Sequence, residues 1–336
     1  MTGATGFLGK YLVREIAKIL GTESKIYLLT RKSDLDLFND LPNVKLIKGD
    51  ITNPQMIESS ADRDELLENV DIVLHAAALY DIKASHADCY LHNVVGTQNV
   101  LRLAKKINGL KAFYHISTIA VADDRSFFLE EDHFPNRKSF QDNYSETKYF
   151  AEKMVRELAE KDLSFVTRII RPGIIIGDSQ TGKMQKGDGP YYFMDVLKKH
   201  SLMLKTVPYL PLSFNPKTKI PVIPVDHCAR FISLLISRDQ FAREVKTYHL
   251  ISSEVPTTSE FLEDVNKVLH IKTKYLPVLK NPVHNSILNF LGIPKELIPF
   301  MFSKLSYDKT RTIEELPELA ESTYSSYKEK IFLYLA

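Results

Sequence analysis

Thr2-Gly3-Ala4-Thr5-Gly6-Phe7-Leu8-Gly9 stands directly before the amphipathic stretch Phe7 to Leu20, and its reading decides the fold. Glycines at a spacing of three suit a tight turn that lets a phosphate approach the backbone. A helix that starts there offers that phosphate free N–H groups and a partial positive charge. By itself the triplet could be a plain glycine-rich turn, so the segments around it carry the argument. Short β-branched runs alternate with longer amphipathic ones: strands at Lys25 to Thr30, Val44 to Ile47, Ile72 to His75, Lys111 to Ser117 and Phe165 to Arg171, and helices at Asp88 to Lys106 and Asn143 to Glu160. That alternation predicts an α/β fold with a doubly wound parallel sheet. The strand that should precede the glycine motif is missing from the sequence, and the expectation is a piece of a longer N-terminus rather than a compromised protein.

Beyond Gly177 the composition shifts toward Pro, Gly and aromatic residues, through GKMQKGDGPYYF and PYLPLSFNPKTKIP, and an irregular insertion near the substrate is expected. Asp226 is placed as the cap of a helix running to Ile236, Thr247 to Ser252 as a strand, and Ser259 as the cap of a helix ending near Leu269. The expected division is a dinucleotide-binding domain over 1–177 and a smaller mixed α/β substrate region over 178–336, with Val222 to Ser252 returning to the core.

Composition narrows the function classes. The 44 basic and 42 acidic residues are interspersed and leave a net charge of +2, which argues against a nucleic-acid surface. Two cysteines, Cys89 and Cys228, make no framework of bridges, and no apolar run is long enough for a membrane span, so a cytoplasmic location is expected. The ten histidines show no ligand spacing, and no metal is expected. The apolar stretch Ile287 to Leu305 reads first as a buried helical cap, with an acyl-chain cover or a peripheral membrane contact as the alternative.

The ends of the predicted strands carry the chemistry. After the second strand of such a fold, an acidic residue would bind the ribose of NAD, whereas a cation would pair with the extra phosphate of NADP. Here stand Arg31 and Lys32, and Arg31 is the main candidate because a guanidinium grips a phosphate with two donors. Asp50 and Ile51 follow the next strand, near the position of an adenine. Ala76, Ala77 and Ala78 follow His75, where small side chains let a cofactor lie against the backbone. Ser117 and Thr118 close a strand with hydroxyls fit to hold a carbonyl oxygen, and Pro172 and Gly173 close another, beside the nicotinamide. Tyr144 and Lys148 lie four residues apart on one helix face, and a neighbouring ammonium is expected to pull the phenol pKa below about 10.

These residues resemble the extended short-chain dehydrogenases/reductases over nearly the whole chain. TGATGFLG resembles the family's glycine motif, implying cofactor contacts from Gly3, Thr5, Gly6, Phe7, Leu8 and Gly9. Asn93 in HNVVGTQN resembles its structural asparagine. YSETK resembles its tyrosine-lysine motif, implying catalysis by Thr118, Tyr144 and Lys148, with Thr118 rather than Ser117 in the place of the catalytic hydroxyl. The runs RPGIIIGDSQTGKMQKGDGPYYF and LGIPKELIPFMFSKLSYDKTRT are similar to bacterial NADPH-dependent fatty acyl-CoA and acyl-thioester reductases. The resemblance implies hydride transfer from NADPH to a small-molecule acyl thioester, giving an aldehyde and then an alcohol if a second transfer follows. A groove for the acyl chain is expected from Gly182 to Met194 and the region near Ile287. The competing readings are a 3β-hydroxysteroid or nucleotide-sugar dehydrogenase or epimerase, and a non-catalytic NADP-binding scaffold.

Overall fold

The structure is a computed structural model that describes residues 1–32, 36–81, 84–122, 127–130, 137, 139–140, 142–162, 164–184, 190–212, 214–277 and 302–333. In chain order the elements are α1 (Phe7–Leu20), β1 (Ile26–Thr30), β2 (Val44–Lys48), α2 (Ser60–Asn69), β3 (Ile72–His75), α3 (His86–Cys89), a π-helix (Tyr90–Val95), α4 (Gly96–Ala104), β4 (Ala112–Ile116), β5 (Phe127–Phe128) and α5 (Asn143–Lys161). They continue with β6 (Val166–Pro172), β7 (Ile174–Ile176), α6 (Pro190–Lys199), α7 (Ser201–Thr206), β8 (Tyr209–Leu212), β9 (Val222–Pro224), α8 (Val225–Arg238), β10 (Lys246–Leu250), α9 (Thr258–Leu269) and β11 (Lys274–Pro277). Helices at Thr310–Glu315 and Tyr324–Leu333 follow.

Two compact units share the chain. The first joins Met1–Gly173, Cys228–Leu250 and Tyr307–Pro317, and the second joins Ile174–His227, Ile251–Ser306 and Glu318–Ala336. The boundary expected after Gly177 falls at Gly173, Cys228–Leu250 lies in the first unit within the stretch expected to return to the core, and Tyr307–Pro317 joins it there. Part of the expected substrate region therefore belongs to the first unit.

The first unit holds a parallel sheet. β1 pairs with β2, and β3, β4, β6 and β10 pair in that order. Met1 and Thr2 lie between β1 and β3. Leu29 N donates to Met1 O (2.9 Å), Thr2 N donates to Leu74 O (3.0 Å), and Thr2 bridges in parallel to both Leu29 and His75. The strand order thus reverses on either side of the glycine turn, the position where doubly wound sheets bind ligands. β4 and β6 are buried throughout, as expected of strands covered on both faces. Phe113, Ile169, Val100 and Val155 centre the core between sheet and helices. Each such fully buried side chain contributes roughly 1.5–3 kcal/mol relative to exposure.

The second unit has its own core of Leu197, Leu204, Phe261, Leu262, Val265 and Tyr327, with two short parallel pairs, β7 with β9 and β8 with β11. Among the described residues, the stretch expected as an irregular insertion carries α6, α7 and β8. Thr257, not Ser259, caps α9: its hydroxyl accepts from Glu260 N while the Glu260 carboxylate accepts from Thr257 N, a complete capping box. Asp226 lies inside the first turn of α8, where its carboxylate accepts from the N–H and the hydroxyl of Ser179.

Candidate active site

The glycine turn is held by contacts that only glycine permits. Gly3 has φ +76°, and a Cβ there would stand 2.6 Å from the backbone of Ala76 and Ala77. At Gly9 a Cβ would stand 2.0 Å from Gly3 O, so helix and turn touch through bare backbone. Gly6 ends the turn as the N-cap of α1, with no side chain capping the helix and no acidic residue in its first turn. The N–H groups at Phe7, Leu8 and Gly9 therefore meet neither a carboxylate nor a capping side chain, and an anion held at this helix end would meet favourable charge. These residues fit the pyrophosphate of a dinucleotide. The Thr5 side chain is exposed beside them.

Thr2 aims the turn. Its Oγ1 lies 2.7 Å from His75 Nδ1 and accepts from Ala77 N (3.2 Å), and His75 Nε2 lies 2.9 Å from Thr97 Oγ1. Ala76 and Ala77 are thus fixed against the turn, and Ala78 follows in the same loop. Burial lowers the His75 pKa to about 3, with the Lys148 charge adding to it, so the imidazole stays neutral in this role.

Arg31 follows β1 and is exposed. Its charge acts on Asp50, whose Oδ1 accepts from the N–H and hydroxyl of Thr52 (both 2.9 Å). Burial pushes the Asp50 carboxyl upward, but the Thr52 donors and the charges of Arg31 and His92 outweigh it and hold the group below its ordinary value. Ile51 packs on Gly96, and its carbonyl accepts from Asn99 Nδ2 (2.8 Å). Sequence reasoning missed Asn99, whose one signal was its place in the HNVVGTQN run.

The expected helix Asp88 to Lys106 is interrupted by the π-helix, which carries Asn93. Asn93 Oδ1 accepts from Leu79 N (2.7 Å), and its Nδ2 donates to Leu79 O (3.2 Å) and to Thr147 Oγ1 (3.0 Å). This buried amide ties the loop after β3 to the helix that carries Tyr144. π-Turns are rare and concentrate at such functional positions.

α5 begins at Asp142, whose Oδ1 accepts from Ser145 N (2.7 Å), and its first two turns present Tyr144 and Lys148. The Tyr144 ring meets Tyr80 edge-on at 4.7 Å, and its hydroxyl lies near enough to Thr118 for that side chain to lower the phenol pKa. Ser117 points away into the interior, where it donates to Glu152 Oε2 (2.6 Å). The structure therefore brings Thr118, not Ser117, to the phenol. Pro172 ends β6 and Gly173 follows it, with Gly173 N donating to Leu250 O (2.8 Å). The adjoining Arg171 turns inward to Glu152 instead of lining the site.

The expected electrostatics are reversed. Burial raises the Tyr144 pKa, the Tyr80 phenol adds to the rise, and the Thr118 side chain offsets only part of it. Lys148 does not pull the phenol down, because its Nζ is buried and donates to Ile116 O (2.6 Å) at the end of β4. Burial lowers the Lys148 pKa to about 8, with Glu152 working against the fall. The site thus holds a neutral phenol, a proton donor, beside an ammonium close to its titration point.

Of the residues proposed for an acyl groove, residues 185–189 and the side chain of Tyr192 lie outside the described residues. Tyr191, Phe193 and Met194 are buried in the core of the second unit, and Tyr191 Oη accepts from Gly177 N (2.7 Å). The region near Ile287, through residue 301, lies outside the described residues. Among the described residues no cluster of His, Cys, Asp or Glu is arranged to hold a metal, and no helix is long and apolar enough to cross a membrane.

A threonine hydroxyl just past the carboxyl end of β4, and a phenol on α5 one helical turn from a buried lysine, place this fold among the extended short-chain dehydrogenases/reductases. Residues 1–232 match the NAD-binding family described as male sterility protein, and the chain belongs to that family. It is 28% identical over 319 residues to the fatty acyl-CoA reductase wat of Drosophila melanogaster, covering 79% of this chain and 59% of that protein. It is 28% identical over 268 residues to the L-2-aminoadipate reductase of Saccharomyces cerevisiae, covering 69% of this chain and 18% of that protein. The chain thus spans less than two thirds of either relative. Among solved structures, the terminal R domain of the myxalamid PKS-NRPS pathway superposes with a TM-score of 0.77 at 24% identity, covering 99% of this chain and 88% of that one, a likeness of fold.

Proposed function

We propose that this chain is an NADPH-dependent reductase of acyl thioesters, acting on an acyl-CoA or a carrier-bound acyl group. The observation that carries the reading is the neutral Tyr144 phenol beside Thr118, one helical turn from the buried Lys148 whose Nζ donates to Ile116 O. The two hydroxyls hold the thioester carbonyl oxygen and meet the negative charge that develops on it. The nicotinamide, when bound, supplies hydride to the carbonyl carbon. Tyr144 donates its proton to the oxygen, giving a hemithioacetal. Collapse of that adduct expels the thiol and leaves an aldehyde, which the same groups can hold for a second reduction to the alcohol. Lys148, protonated, binds the cofactor ribose and keeps Tyr144 in place. The glycine turn and the N–H groups of α1 hold the pyrophosphate. The name of one matched relative, a fatty acyl-CoA reductase, supports the thioester as substrate.

NADPH oxidation measured with acyl-CoAs of about four to about eighteen carbons, free aldehydes, steroids and nucleotide sugars tests the assignment. Each buried methylene contributes about 0.8 kcal/mol, so kcat/KM should climb with chain length before it levels. Activity confined to nucleotide sugars or steroids would overturn the thioester reading and leave the fold untouched.

NADPH preference rests on Arg31, exposed beyond β1 where a 2′-phosphate would lie. Arg31→Ala should weaken NADPH far more than NADH, because it deletes a charge-assisted pair that NADH never makes. A loss of discrimination of about 1.5–3 kcal/mol is expected. Equal losses for both cofactors in titration calorimetry would show that Arg31 does not read the phosphate.

A further inference from the structure

One turn beyond Lys148 on α5, Glu152 is completely enclosed, yet both of its oxygens are fully engaged. Oε2 accepts from Ser117 Oγ (2.6 Å) and Arg171 Nε (3.1 Å), and Oε1 accepts from Arg156 Nε (2.9 Å) and Arg171 Nη2 (2.5 Å). Burying a lone carboxylate costs several kcal/mol, so such a group persists only with this degree of compensation. Burial works to raise its pKa, but Arg171, Arg156 and Ser117 outweigh it and hold Glu152 ionised far below the usual carboxylate range.

The attachments come from separate elements of the first unit. Ser117 immediately precedes Thr118. Arg171 immediately precedes Pro172 and Gly173, and its guanidinium also lies 3.2 Å from His249 Nε2 and 4.5 Å from the centre of the Phe128 ring. Arg156 reaches on to Thr247 Oγ1 on β10 (2.7 Å). One carboxylate therefore joins the ends of β4 and β6 to the helix that presents Tyr144 and Lys148. A structural staple needs no particular charge balance, but this one stands beside an ammonium at the edge of titration.

We propose that Glu152 is a positioning residue of this site, seating Thr118 through Ser117 and keeping the buried Lys148 ammonium charged for cofactor binding. This rests on the reductase reading for the role of Thr118, while the cofactor-binding part stands apart from any substrate.

Lys148 shares its surroundings with Glu152 on α5, His75 on β3 and His115 on β4, and Glu152 is in turn held by Arg156 and Arg171. His75 and His115 are held neutral, first by burial and then by the Lys148 charge itself. Glu152 is the group that offsets the burial of Lys148, whose pKa is lowered to about 8. Removing the carboxylate charge lowers that pKa further, so the ammonium is lost at lower pH. Removing a cation, Arg156, moves it the other way.

The test measures NADPH affinity by calorimetry between about pH 6 and pH 10, together with kcat/KM, in wild type, Glu152→Gln, Glu152→Asp and Arg156→Gln. Wild-type affinity should fall above about pH 8. Glu152→Gln should shift that limb down by at least about one pH unit, the size of effect expected for a neighbouring opposite charge. Glu152→Asp, which keeps the charge on a shorter arm, should hold the limb and lower kcat. Arg156→Gln should move the limb upward. A folded Glu152→Gln with the wild-type limb overturns the proposal. Should that variant not fold, an Arg156→Gln limb that stays or moves down overturns it, as does a Glu152→Asp limb that falls. A chain that binds NADPH but reduces no acyl thioester removes the function proposed above, and the binding limbs still decide the charge role of Glu152. A wild type that binds no NADPH overturns both.

Discussion

Tyr144→Phe is expected to lower kcat by about a thousandfold, while NADPH affinity changes by less than about threefold. Phenylalanine preserves the ring that meets Tyr80 edge-on at 4.7 Å and the helical turn that Asp142 caps, so the geometry of α5 should survive. What disappears is the hydroxyl that lies beside Thr118. A general acid contributes about 10²–10⁴ in rate and one oxyanion donor about 10²–10³. A thousandfold loss, about 4 kcal/mol, sits inside both ranges. Because burial raises the phenol pKa, wild-type Tyr144 stays protonated through neutral pH, and the acid form is not what fails first on going alkaline. Lys148, lowered to about 8, titrates earlier and sets the alkaline limb. Single-turnover rates and calorimetric affinities measured on the same preparation would check both halves. A Tyr144→Phe rate within threefold of wild type would remove the phenol from the chemistry.

Gly9→Ala is expected to cut NADPH affinity by at least about a hundredfold. The added methyl would stand 2.0 Å from Gly3 O and 2.8 Å from the Ala4 carbonyl carbon, and both are backbone atoms that cannot swing aside as a side-chain end would. Either α1 moves out or the turn opens, and each displaces the N–H groups proposed to hold the pyrophosphate. Overpacking of this kind costs about 1–3 kcal/mol of stability, and about 2.7 kcal/mol corresponds to the hundredfold loss in binding. A melting curve locates the temperature range in which the variant is folded, and titration within that range reads affinity apart from stability. Wild-type affinity in a folded Gly9→Ala protein would show that the close approach of helix and turn does not shape the cofactor site.

Much of this molecule is legible locally. α1 runs from Phe7 to Leu20 as its pattern predicts, because the signals that start and stop it, Gly6 and Gly21, are its immediate neighbours in sequence. α5 starts at Asn143 for the same reason, with Asp142 directly before it as the cap. The runs KAFYHIS and FVTRIIR fell close to β4 and β6 because those strands are buried along their whole length, as in the middle of a parallel sheet. Ser259 misled because two hydroxyls two residues apart can both cap a helix. Only Thr257 has a glutamate three positions on, and that reciprocal pair decides between them.

From the order of its residues the chain specifies the glycine turn, the alternation of strands and helices, and the Tyr144–Lys148 pair one turn apart. These depend on neighbours within a few positions, which the backbone and its hydrogen bonds translate directly into local structure. Tertiary structure alone decides the rest. The π-helix at Tyr90–Val95 accompanies an Asn93 amide that reaches Leu79 and, 54 residues on, Thr147. Thr118 and not Ser117 meets the phenol because Glu152, 35 residues away from Ser117 in sequence, claims the serine hydroxyl. Tyr191, Phe193 and Met194 face a core because α9 and the C-terminal helix cover them, which aromatic composition could not reveal. The reversed pKa shift of Tyr144 has the same origin. Spacing along a helix records which charges are near, but the desolvation that outweighs them is set by everything else that packs around the site.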